Sequence, residues 1–489
     1  MLIHPTNIEF RPDNKRVVVR PFIPNDPEKI VHILQRALSL SDTETDLQLA
    51  GIRADFGERH LDLDKSWLRH FDKVRPHLPA GVAPSEPRRL FIGALFSGEY
   101  ALESAALFNP SIVPHPDQTG LAAGELRFIL SLRATGEGHI SSIEFRTGII
   151  RADYSIQMEK APRFVTLPNL DPNPVFHKTT FLHKLSELGL DNDWSRAVME
   201  PLQDDFTLEE LEKQQAHATI SKPDSRDAIR TLEIMHWLAE SNYSIHFCSS
   251  TTVSERIIFP VSSNESNGIE DARFVRFTDD DGRITYYATY TAYNGRVILP
   301  QLIETTDFIH FRVRTLNGQA AQNKGMAFFP RRINGRYTVL SRQDDENLLI
   351  MFSNNRHFWS EPQIIERPTQ PWEYVKIGNC GSPIETDAGW LVITHGVGAM
   401  RKYCIGAILL DLEDPTQVIG RLTHPLLKPE GNEREGYVPN VVYSCGALLH
   451  GKRLVLPYGF SDSGATIVTC EIQELLAMLT PAISGPSQI

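Results

Sequence analysis

Two neighbouring carboxylates followed by an arginine form the segment of this sequence with the clearest chemical potential. The segment is NGIEDARF, at positions 267–274. Side chains alternate between the faces of a strand, which predicts Asp271 and Arg273 on one face and Glu270 and Ala272 on the other. An aspartate beside an arginine stays ionised unless burial raises its pKa. The segment is therefore a candidate site, and an ion pair at the start of a strand is the structural alternative.

Short strands separated by Gly, Asn and Asp turns dominate the chain from Leu90 onward. The motifs SSIEF, DFIHF and NRHFW each place a polar residue four positions before an aromatic one, and the last two aromatics, Phe311 and Trp359, are 48 residues apart. A period of about 40–50 residues built from several strands is typical of a β-propeller blade. A large two-sheet sandwich is the alternative. A propeller suits a chain of 489 residues better, because blades add without enlarging a single core.

Helical patterns predict two additions to the strands. Residues 1–84 are predicted to be a mainly helical extension, in which Asp26 and Pro27 provide a cap and a first turn. A second helical block at about 176–240 interrupts the strands as an insertion. We expect the catalytic unit to cover residues 85–480, with a last short helix from Ile472 to Leu479 and a tail at 481–489.

Composition excludes several classes of function. Lys and Arg total 49 against 61 Asp and Glu, a net charge of −12 that argues against nucleic-acid and anionic-membrane binding. Neither a signal-peptide pattern nor a membrane-length apolar run is present. The five cysteines form no CxxC pair, which argues against a zinc site or disulfide framework and is consistent with a cytoplasmic location. Walker A, GxGxxG and GxSxG motifs are also absent.

Several separated motifs, in order, resemble glycoside hydrolase family 130, the β-mannoside phosphorylases and related β-mannosidases. Besides the acidic segment at 267–274, where Ala272 replaces the family's usual proline, the matching segments are NPSI (109–112), LSLRA (130–134), FPRRINGRY (329–337), LSR (340–342), GWL (389–391), HGV (395–397), GYVPNVVY (436–443) and YGFSD (458–462). The resemblance covers about residues 90–480 without the helical block. It implies an all-β catalytic unit in the form of a five-bladed β-propeller with a central pocket.

The resemblance also implies the chemistry. Asp271 is expected to be the general acid, acting through a sugar hydroxyl, while inorganic phosphate attacks the anomeric carbon with inversion to give α-mannose 1-phosphate. Phosphate needs fixed cationic donors, whereas an inverting hydrolase needs a carboxylate base about 6.5–9.5 Å from the acid. No cofactor is expected besides phosphate as co-substrate, and no metal site.

Four residues match the family's phosphate site: Lys324, Arg342, His395 and Tyr403. Each of the first three has a structural alternative. Lys324 could be a solvated turn lysine, Arg342 could pair with the acidic loop that follows it, and His395 could be a satisfied core histidine.

Sugar-binding positions of the family match Asn109, Arg133 and Asp462, and Arg273 is a further candidate. Arg133 is open to a role with either the sugar or the phosphate, and Asp462 could instead form a turn. Tyr293 and Tyr437 are candidates for the leaving-group subsite.

The predicted function is an inverting phosphorylase acting on β-mannosides. A β-mannosidase that uses Glu435 or Asp344 as its base is the first alternative, and a non-catalytic carbohydrate-binding propeller is the second. The expected partners are an oligosaccharide and phosphate, with no nucleic acid or membrane. Assembly into a homo-oligomer is left open.

Overall fold

The N-terminal segment combines strands and helices in the structure, a computed structural model that describes residues 2–171, 173–221, 226–295 and 298–481. Its elements are β1 (His4–Phe10), β2 (Val17–Pro21), α1 (Pro27–Ser39), α2 (Asp42–Phe56), α3 (Leu63–Val74), α4 (Glu86–Leu95) and β3 (Ser97–Ala101). Helix α1 begins as the sequence predicts, since the Asp26 side chain accepts a hydrogen bond from the Glu28 amide at 3.0 Å and Pro27 occupies the first turn.

The start of this segment differs from the predicted mainly helical extension. Strand β2 pairs with β3, and β1 pairs with a strand near the C-terminus, through His4 opposite Thr469 and Phe10 opposite Ala465. The partner strand of β1 is more than 450 residues away, and a local periodicity cannot predict a pairing at that distance. The division into domains at residue 84 stays a prediction.

A buried charge network joins the segment to the strands that follow. Arg16 forms ion pairs with Glu103 and Glu144 at 2.9 and 2.8 Å, and Arg146 contacts the same two carboxylates. Removing one member would leave an uncompensated buried charge, which is strongly destabilising.

Five antiparallel groups of strands follow. The first group holds β4 (Ala106–Pro114), β5 (Leu126–Thr135), β6 (Ser141–Ile150) and β7 (Ile156–Met158). The segment after it holds β8 (Asn169–Leu170), β9 (Val175–His177), α5 (Lys178–Glu187), α6 (Asp193–Met199), β10 (Asp205–Thr207), α7 (Leu208–Ser221), α8 (Arg226–Glu240), β11 (Tyr243–His246) and β12 (Ile257–Ile258). Helices α5 to α8 share an apolar core of their own, which includes Phe181, Val198 and Met235.

The second and third groups complete the middle of the chain. They consist of β13 (Gly268–Thr278), β14 (Ile284–Tyr293), β15 (Ile298–Thr305) and β16 (His310–Thr315), then β17 (Ala327–Phe328), β18 (Tyr337–Ser341), β19 (Leu348–Ser353) and β20 (Gln363–Glu366). The second group is joined to the first by a parallel pairing of Gly268 with Ser141.

The fourth and fifth groups lie at the C-terminal end. They consist of β21 (Lys376–Asn379), β22 (Ile384–Thr386), β23 (Gly389–Val397), β24 (Tyr403–Leu410) and β25 (Val418–Arg421), then β26 (Val442–Tyr443), β27 (Leu448–His450), β28 (Arg453–Phe460) and β29 (Gly464–Glu471), on whose outer side β1 pairs. Helix α9 (Ile472–Ala477) and β30 (Thr480–Pro481) follow, and residues 482–489 of the predicted tail lie outside the described residues.

Consecutive groups share apolar cores in a cyclic order. Separate clusters of buried side chains join the first group to the second, the second to the third, the third to the fourth and the fourth to the fifth. A further cluster joins the fifth back to the first, where Val455 and Ile467 pack with Leu107 and Phe128. The ends of all five groups can therefore contribute side chains to one central site.

Cys380, Cys404, Cys445 and Cys470 are buried free thiols, and Cys248 is an exposed one. Within the described ranges, the helices are too short or too polar for any of them to cross a membrane.

Candidate active site

One cavity of about 340 Å³ brings together most of the predicted site residues. Its lining includes every residue predicted for catalysis, phosphate binding or binding of the transferred mannose except Arg273 and His395, and neither Tyr293 nor Tyr437 belongs to it. The side chains around it are Asn109, Arg133, Asp271, Asn323, Lys324, Arg342, Asp345, Lys376, Arg401, Tyr403, Val438, Val441, Tyr443 and Asp462. They come from all five strand groups or from the loops that adjoin them.

Asp271 lies on a β-bulge. The pairing of β13 with β14 shifts between Glu270, opposite Thr291, and Arg273, opposite Thr289, so that two residues face one on the neighbouring strand. Asp271 adopts a left-handed backbone with φ of 56°. Aspartate and asparagine tolerate this conformation better than other residues with a Cβ atom.

The bulge overturns the predicted alternation of side chains. Arg133 donates to Oε1 of Glu270 at 2.8 Å and to Oδ1 of Asp271 at 3.3 Å, so both carboxylates reach the same guanidinium. Ala272 instead packs in the apolar core between the first two groups. Strict alternation fails because the extra residue on β13 interrupts the two-residue period.

A second bulge in the first group places Asn109 against Asp271. The pairing of β4 with β5 shifts between Phe108 and Ser111, and Asn109 has φ of 49°. Its Nδ2 donates to Oδ1 of Asp271 at 2.7 Å. Two bulges on neighbouring groups therefore fix the position of one carboxylate.

The charges around Asp271 keep it ionised. Burial alone raises the pKa of this carboxyl, but the positive charges of Arg133, Arg273 and Lys324, with the hydrogen bond from Asn109, lower it to about 2. Lys324 also donates to Oε2 of Glu270. Lys324 is thus paired with a carboxylate, and it is not the solvated turn lysine of the alternative interpretation.

The pKa of Asp462, in the same surroundings, shifts in the opposite direction to that of Asp271. Burial, and then the negative charge of Asp271, raise its pKa to about 6, although Arg133 and Arg401 oppose the shift. Asp462 and the preceding Ser461 both have φ of 48° in the turn between β28 and β29. Two adjacent left-handed residues that present a carboxyl to a cavity are typical of a functional turn.

Arg342 is a buried cation for which the described residues provide no carboxylate partner. Its side chain follows β18 and is only 8% exposed, its Nε has no hydrogen-bond partner, and its Nη1 lies 3.3 Å from Nε2 of His395. The acidic loop does not pair with it, because Asp344 accepts hydrogen bonds from Asn347 and Glu346, and Asp345 binds Lys376. A buried guanidinium without a carboxylate partner has the charge and the donors that suit an anion.

Two glycines hold the Arg342 side chain in place. A Cβ atom at Gly325, whose φ is +98°, would lie 2.6 Å from Nε of Arg342. A Cβ atom at Gly378 would lie 3.0 Å from Cδ of Arg342 and 2.6 Å from Nε2 of His395. Because any larger residue would displace these side chains, the backbone can approach them closely only at glycine.

His395 lies behind Arg342 and is fully buried. Burial lowers the pKa of His395 well below its ordinary value, and the charges of Arg342 and Arg273 lower it further. The ring is therefore neutral, and its Nδ1 has no hydrogen-bond partner. Tyr403 does line the cavity and stacks on His395, with ring centroids 5.9 Å apart.

Arg273 lies beneath the cavity. Its Nη1 donates to the backbone carbonyl of Asp271 at 3.1 Å, and its Nη2 donates to the hydroxyl of Tyr443 at 2.6 Å. This side chain supports the bulge and is not part of the lining. The predicted contact with substrate stays a prediction, and the geometry assigns Arg273 a positioning role.

Sequence reasoning did not single out Lys376, Arg401, Asn323 or Tyr443 as lining residues. Lys376 is paired with Asp345 at 2.9 Å, and Arg401 has no ion-pair partner among the described residues. The backbone at Arg401 and Asn323 is left-handed, with φ of 55° and 60°. No local motif marks these positions, because their arrangement depends on how separate groups meet.

The carboxylates proposed as hydrolytic bases do not reach the cavity. Asp344 caps its own loop, and Glu435 is exposed on the segment before Gly436. The cavity carboxylates besides Asp271 are Asp345, which is held by Lys376, and Asp462, whose pKa is raised by burial and then by the negative charge of Asp271.

Comparison with known proteins identifies the family. A family model described as beta-1,4-mannooligosaccharide phosphorylase matches residues 228–480. A 1,2-beta-oligomannan phosphorylase of Thermoanaerobacter sp. (strain X514) is 35% identical over 229 residues, which cover 45% of this chain and 75% of the relative. A beta-1,2-mannobiose phosphorylase of Listeria innocua serovar 6a is 31% identical over 250 residues, which cover 50% and 68%.

A solved structure of a Listeria innocua beta-1,2-mannobiose phosphorylase in complex with beta-1,2-mannobiose has 22% identity and a TM-score of 0.46, and the match covers 78% of this chain and 93% of that one. The family model alone matches more than half of the sequence. The chain therefore belongs to glycoside hydrolase family 130.

Proposed function

We propose that this protein is an inverting glycoside phosphorylase that cleaves β-mannosides with inorganic phosphate and releases α-mannose 1-phosphate. The observation that carries the proposal is Arg342, a buried guanidinium without a carboxylate partner among the described residues, on the wall of the cavity that contains Asp271. Membership of a family whose named relatives are mannoside phosphorylases supports the same substrate class.

Phosphate is the proposed ligand of the Arg342 side of the cavity. Its negative charge would be held by charge-assisted hydrogen bonds from Arg342, with Tyr403 as a further donor and Lys324 available from its pair with Glu270. His395 would act through Arg342, since it contacts that side chain and is buried behind it. Lys376 and Arg401 add positive charge to the same lining.

Asn109, Arg133 and Asp462 are the proposed contacts to the mannose that is transferred. All three line the cavity beside Asp271, and their amide, guanidinium and carboxyl groups suit sugar hydroxyls. Arg273 keeps the bulge in shape from below.

In the proposed reaction, a phosphate oxygen forms a bond to the anomeric carbon while the bond from that carbon to the leaving oxygen breaks. Asp271 supplies the proton that the leaving oxygen acquires, relayed through a sugar hydroxyl. Because its pKa is about 2, Asp271 is ionised at neutral pH, so it must first take up a proton from solvent, and it returns to the carboxylate when that proton is transferred. Phosphate brings negative charge and the sugar displaces water, and both changes raise the pKa of a nearby carboxyl.

The fold proposed for the catalytic unit is a five-bladed β-propeller. The cyclic order of shared cores among the five strand groups supports it, with β1 completing the last blade. Phosphate would serve as co-substrate and no further cofactor is proposed. A cytoplasmic location and assembly into a homo-oligomer stay predictions.

Incubation with β-mannobioses of each linkage, with and without phosphate, tests the function. We expect mannose 1-phosphate only when phosphate is present, with the α anomer identified by nuclear magnetic resonance. Free mannose released at the same rate without phosphate would indicate a β-mannosidase. Binding without turnover of any linkage would indicate the carbohydrate-binding alternative.

A further inference from the structure

A separate cavity lies between the N-terminal segment and the chain that follows β7. It has a volume of about 710 Å³, and none of its described lining residues belongs to the active-site cavity. Its cationic side chains come from both walls and are Lys15, Arg59, Lys160 and Arg163. In the lining as the structure describes it, Asp13 is the one carboxylate. Because the protein as a whole has a net charge of −12, this basic cavity is a local excess of positive charge.

The two walls of the basic cavity are attached to one buried residue, Arg16. Its Nη1 donates to the carbonyl oxygen of Pro162 at 2.8 Å, and its amide donates to the carbonyl oxygen of Asp13 at 3.0 Å. The Arg16 side chain is itself fixed by its ion pairs with Glu103 and Glu144. The separation of the walls is therefore set by the buried charge network and not by the surface side chains.

Most of the positive charge in the basic cavity is not neutralised by neighbouring side chains. Oδ1 of Asp13 accepts a hydrogen bond from the Lys15 amide at 2.9 Å, within the turn that carries both residues. Arg59 pairs with Glu99 at 2.7 Å. The lining cations without an ion-pair partner among the described residues are Lys15, Lys160 and Arg163. All three are exposed, and their mutual repulsion would be relieved by an anion between them.

We propose that the basic cavity is a second binding site for phosphate, either free or as the ester of a sugar. Lys and Arg side chains hold phosphate groups through charge-assisted hydrogen bonds. A volume of about 710 Å³ is typical of small-molecule sites and leaves room for a sugar beside the phosphate. Within the described chain, the lining provides no aromatic ring on which a nucleobase could stack, which argues against a nucleotide. The site is additional to the proposed function, in which phosphate binds beside Arg342.

Calorimetric titration with inorganic phosphate and with α-mannose 1-phosphate tests the site in an Arg342→Gln background, where binding in the active-site cavity is weakened. We expect this variant still to bind at least one of the two probes. Adding Lys15→Ala and Arg163→Ala should weaken that binding at least tenfold, because two charge-assisted contacts are lost. Higher ionic strength should also weaken it, since exposed charges are screened by salt.

The matched control adds Lys29→Ala and Arg36→Ala to the same background. These residues are exposed on α1 and do not line the basic cavity, so the affinities should not change. Binding of the ester at least tenfold more tightly than free phosphate would assign the site to a sugar phosphate. Similar affinities would assign it to the phosphate group alone.

Thermal melts provide a second readout, because a ligand that binds the folded protein raises the Tm. The rise that the tighter probe causes in Arg342→Gln should shrink when Lys15→Ala and Arg163→Ala are added. Unchanged affinity after this addition would overturn the site, as would an Arg342→Gln protein that binds neither probe. If the basic cavity binds phosphate but the wild-type protein forms no mannose 1-phosphate, the second site stands and the phosphorylase function fails.

Discussion

Arg133 and Arg342 line the same cavity but have opposite surroundings. Arg133 is shared by two carboxylates, Glu270 and Asp271, at 2.8 and 3.3 Å. Among the described residues, the one hydrogen-bond contact of the Arg342 side chain is with the neutral ring of His395, and its Nε has no partner. The first arrangement is complete without a ligand and fixes a carboxyl group in position. The second leaves a buried cation available for an anion, and the proposed function places proton transfer on the first side and phosphate on the second.

The backbone differs between the two sides in a related way. The carboxylate side is built on bulges, with left-handed residues at Asn109 and Asp271. The Arg342 side is built on close packing, with Gly325 near Nε of Arg342 and Gly378 near its Cδ and the His395 ring. On the carboxylate side, β-bulges direct short polar side chains into the cavity. On the Arg342 side, glycines without side chains let the backbone pack closely around one long side chain.

Removing the carboxyl on the paired side should have the largest effect. Asp271→Asn should lower kcat about 10²–10⁴-fold, the usual contribution of a general acid, because the amide cannot supply a proton. Asparagine tolerates the left-handed backbone and can still accept the hydrogen bond from Asn109, so the fold should persist.

The measurement is phosphate-dependent turnover together with a thermal melt. Asp279→Asn is the matched control, since Asp279 pairs with Arg332 at the end of the same strand and lies outside the cavity. Near-normal turnover in Asp271→Asn would remove Asp271 from the reaction.

Removing the cation on the unpaired side should affect phosphate selectively. Arg342→Gln should raise the KM for phosphate about 10–100-fold, because a charge-assisted contact to phosphate is lost without leaving a carboxylate unpaired. The KM for the oligosaccharide should change little. Steady-state kinetics with each substrate varied in turn measure the split.

Arg331→Gln serves as the control, because Arg331 pairs with exposed Glu385 away from the cavity. A larger change in the oligosaccharide KM than in the phosphate KM would reverse the assignment of the two sides.

Local sequence signals predicted where helices begin and which residues line the site. They did not predict strand pairing or the geometry of the site. The Asp26–Pro27 start of α1 is confirmed, because capping depends on adjacent residues. The short C-terminal helix begins at Ile472 as predicted and ends at Ala477, two residues early. The pairing of β1 with β29 could not be predicted, since it joins opposite ends of the chain.

For the site too, the sequence predicted residues but not the contacts between distant segments. The motif series identified Asp271 and Arg342, and both line the cavity. The bulge at Asp271 was missed because it depends on the register of β13 against β14, which is not visible in one strand. Likewise, the pairing of Lys324 with Glu270 requires two segments to meet across the cavity.

Gly378→Ala is a smaller change on the Arg342 side of the cavity, because it adds one methyl group. Gly378→Ala would place Cβ 2.6 Å from Nε2 of His395 and 3.0 Å from Cδ of Arg342, so that both side chains must move. We expect the KM for phosphate to rise about tenfold, since small displacements of a positioning group are costly. Gly51→Ala, in open space on α2, is the control and should be silent. An unchanged KM for phosphate in Gly378→Ala would show that the position of Arg342 is not critical.

The smallest effect concerns the stability of the carboxylate side and depends on pH. The pKa of Asp462 is about 6 in the folded protein, above its ordinary value of 3.8, so ionising this carboxyl as the pH rises costs folding free energy. Asp462→Asn removes the cost and should raise the free energy of unfolding at pH 8 by up to about 3 kcal/mol. At pH 4, where the wild-type carboxyl is largely protonated, the gain should nearly vanish.

Urea unfolding at both pH values measures this difference. Asp387→Asn, at an exposed turn, is the control for the loss of one negative charge. Asparagine suits the left-handed backbone at position 462, so strain should not mask the gain. The same increase at pH 4 and pH 8 would mean that ionisation of the buried Asp462 carboxyl is not its source. A gain confined to pH 8 would show that Arg133 does not offset the burial of Asp462 and the negative charge of Asp271, in contrast to Arg342, which has no carboxylate partner among the described residues.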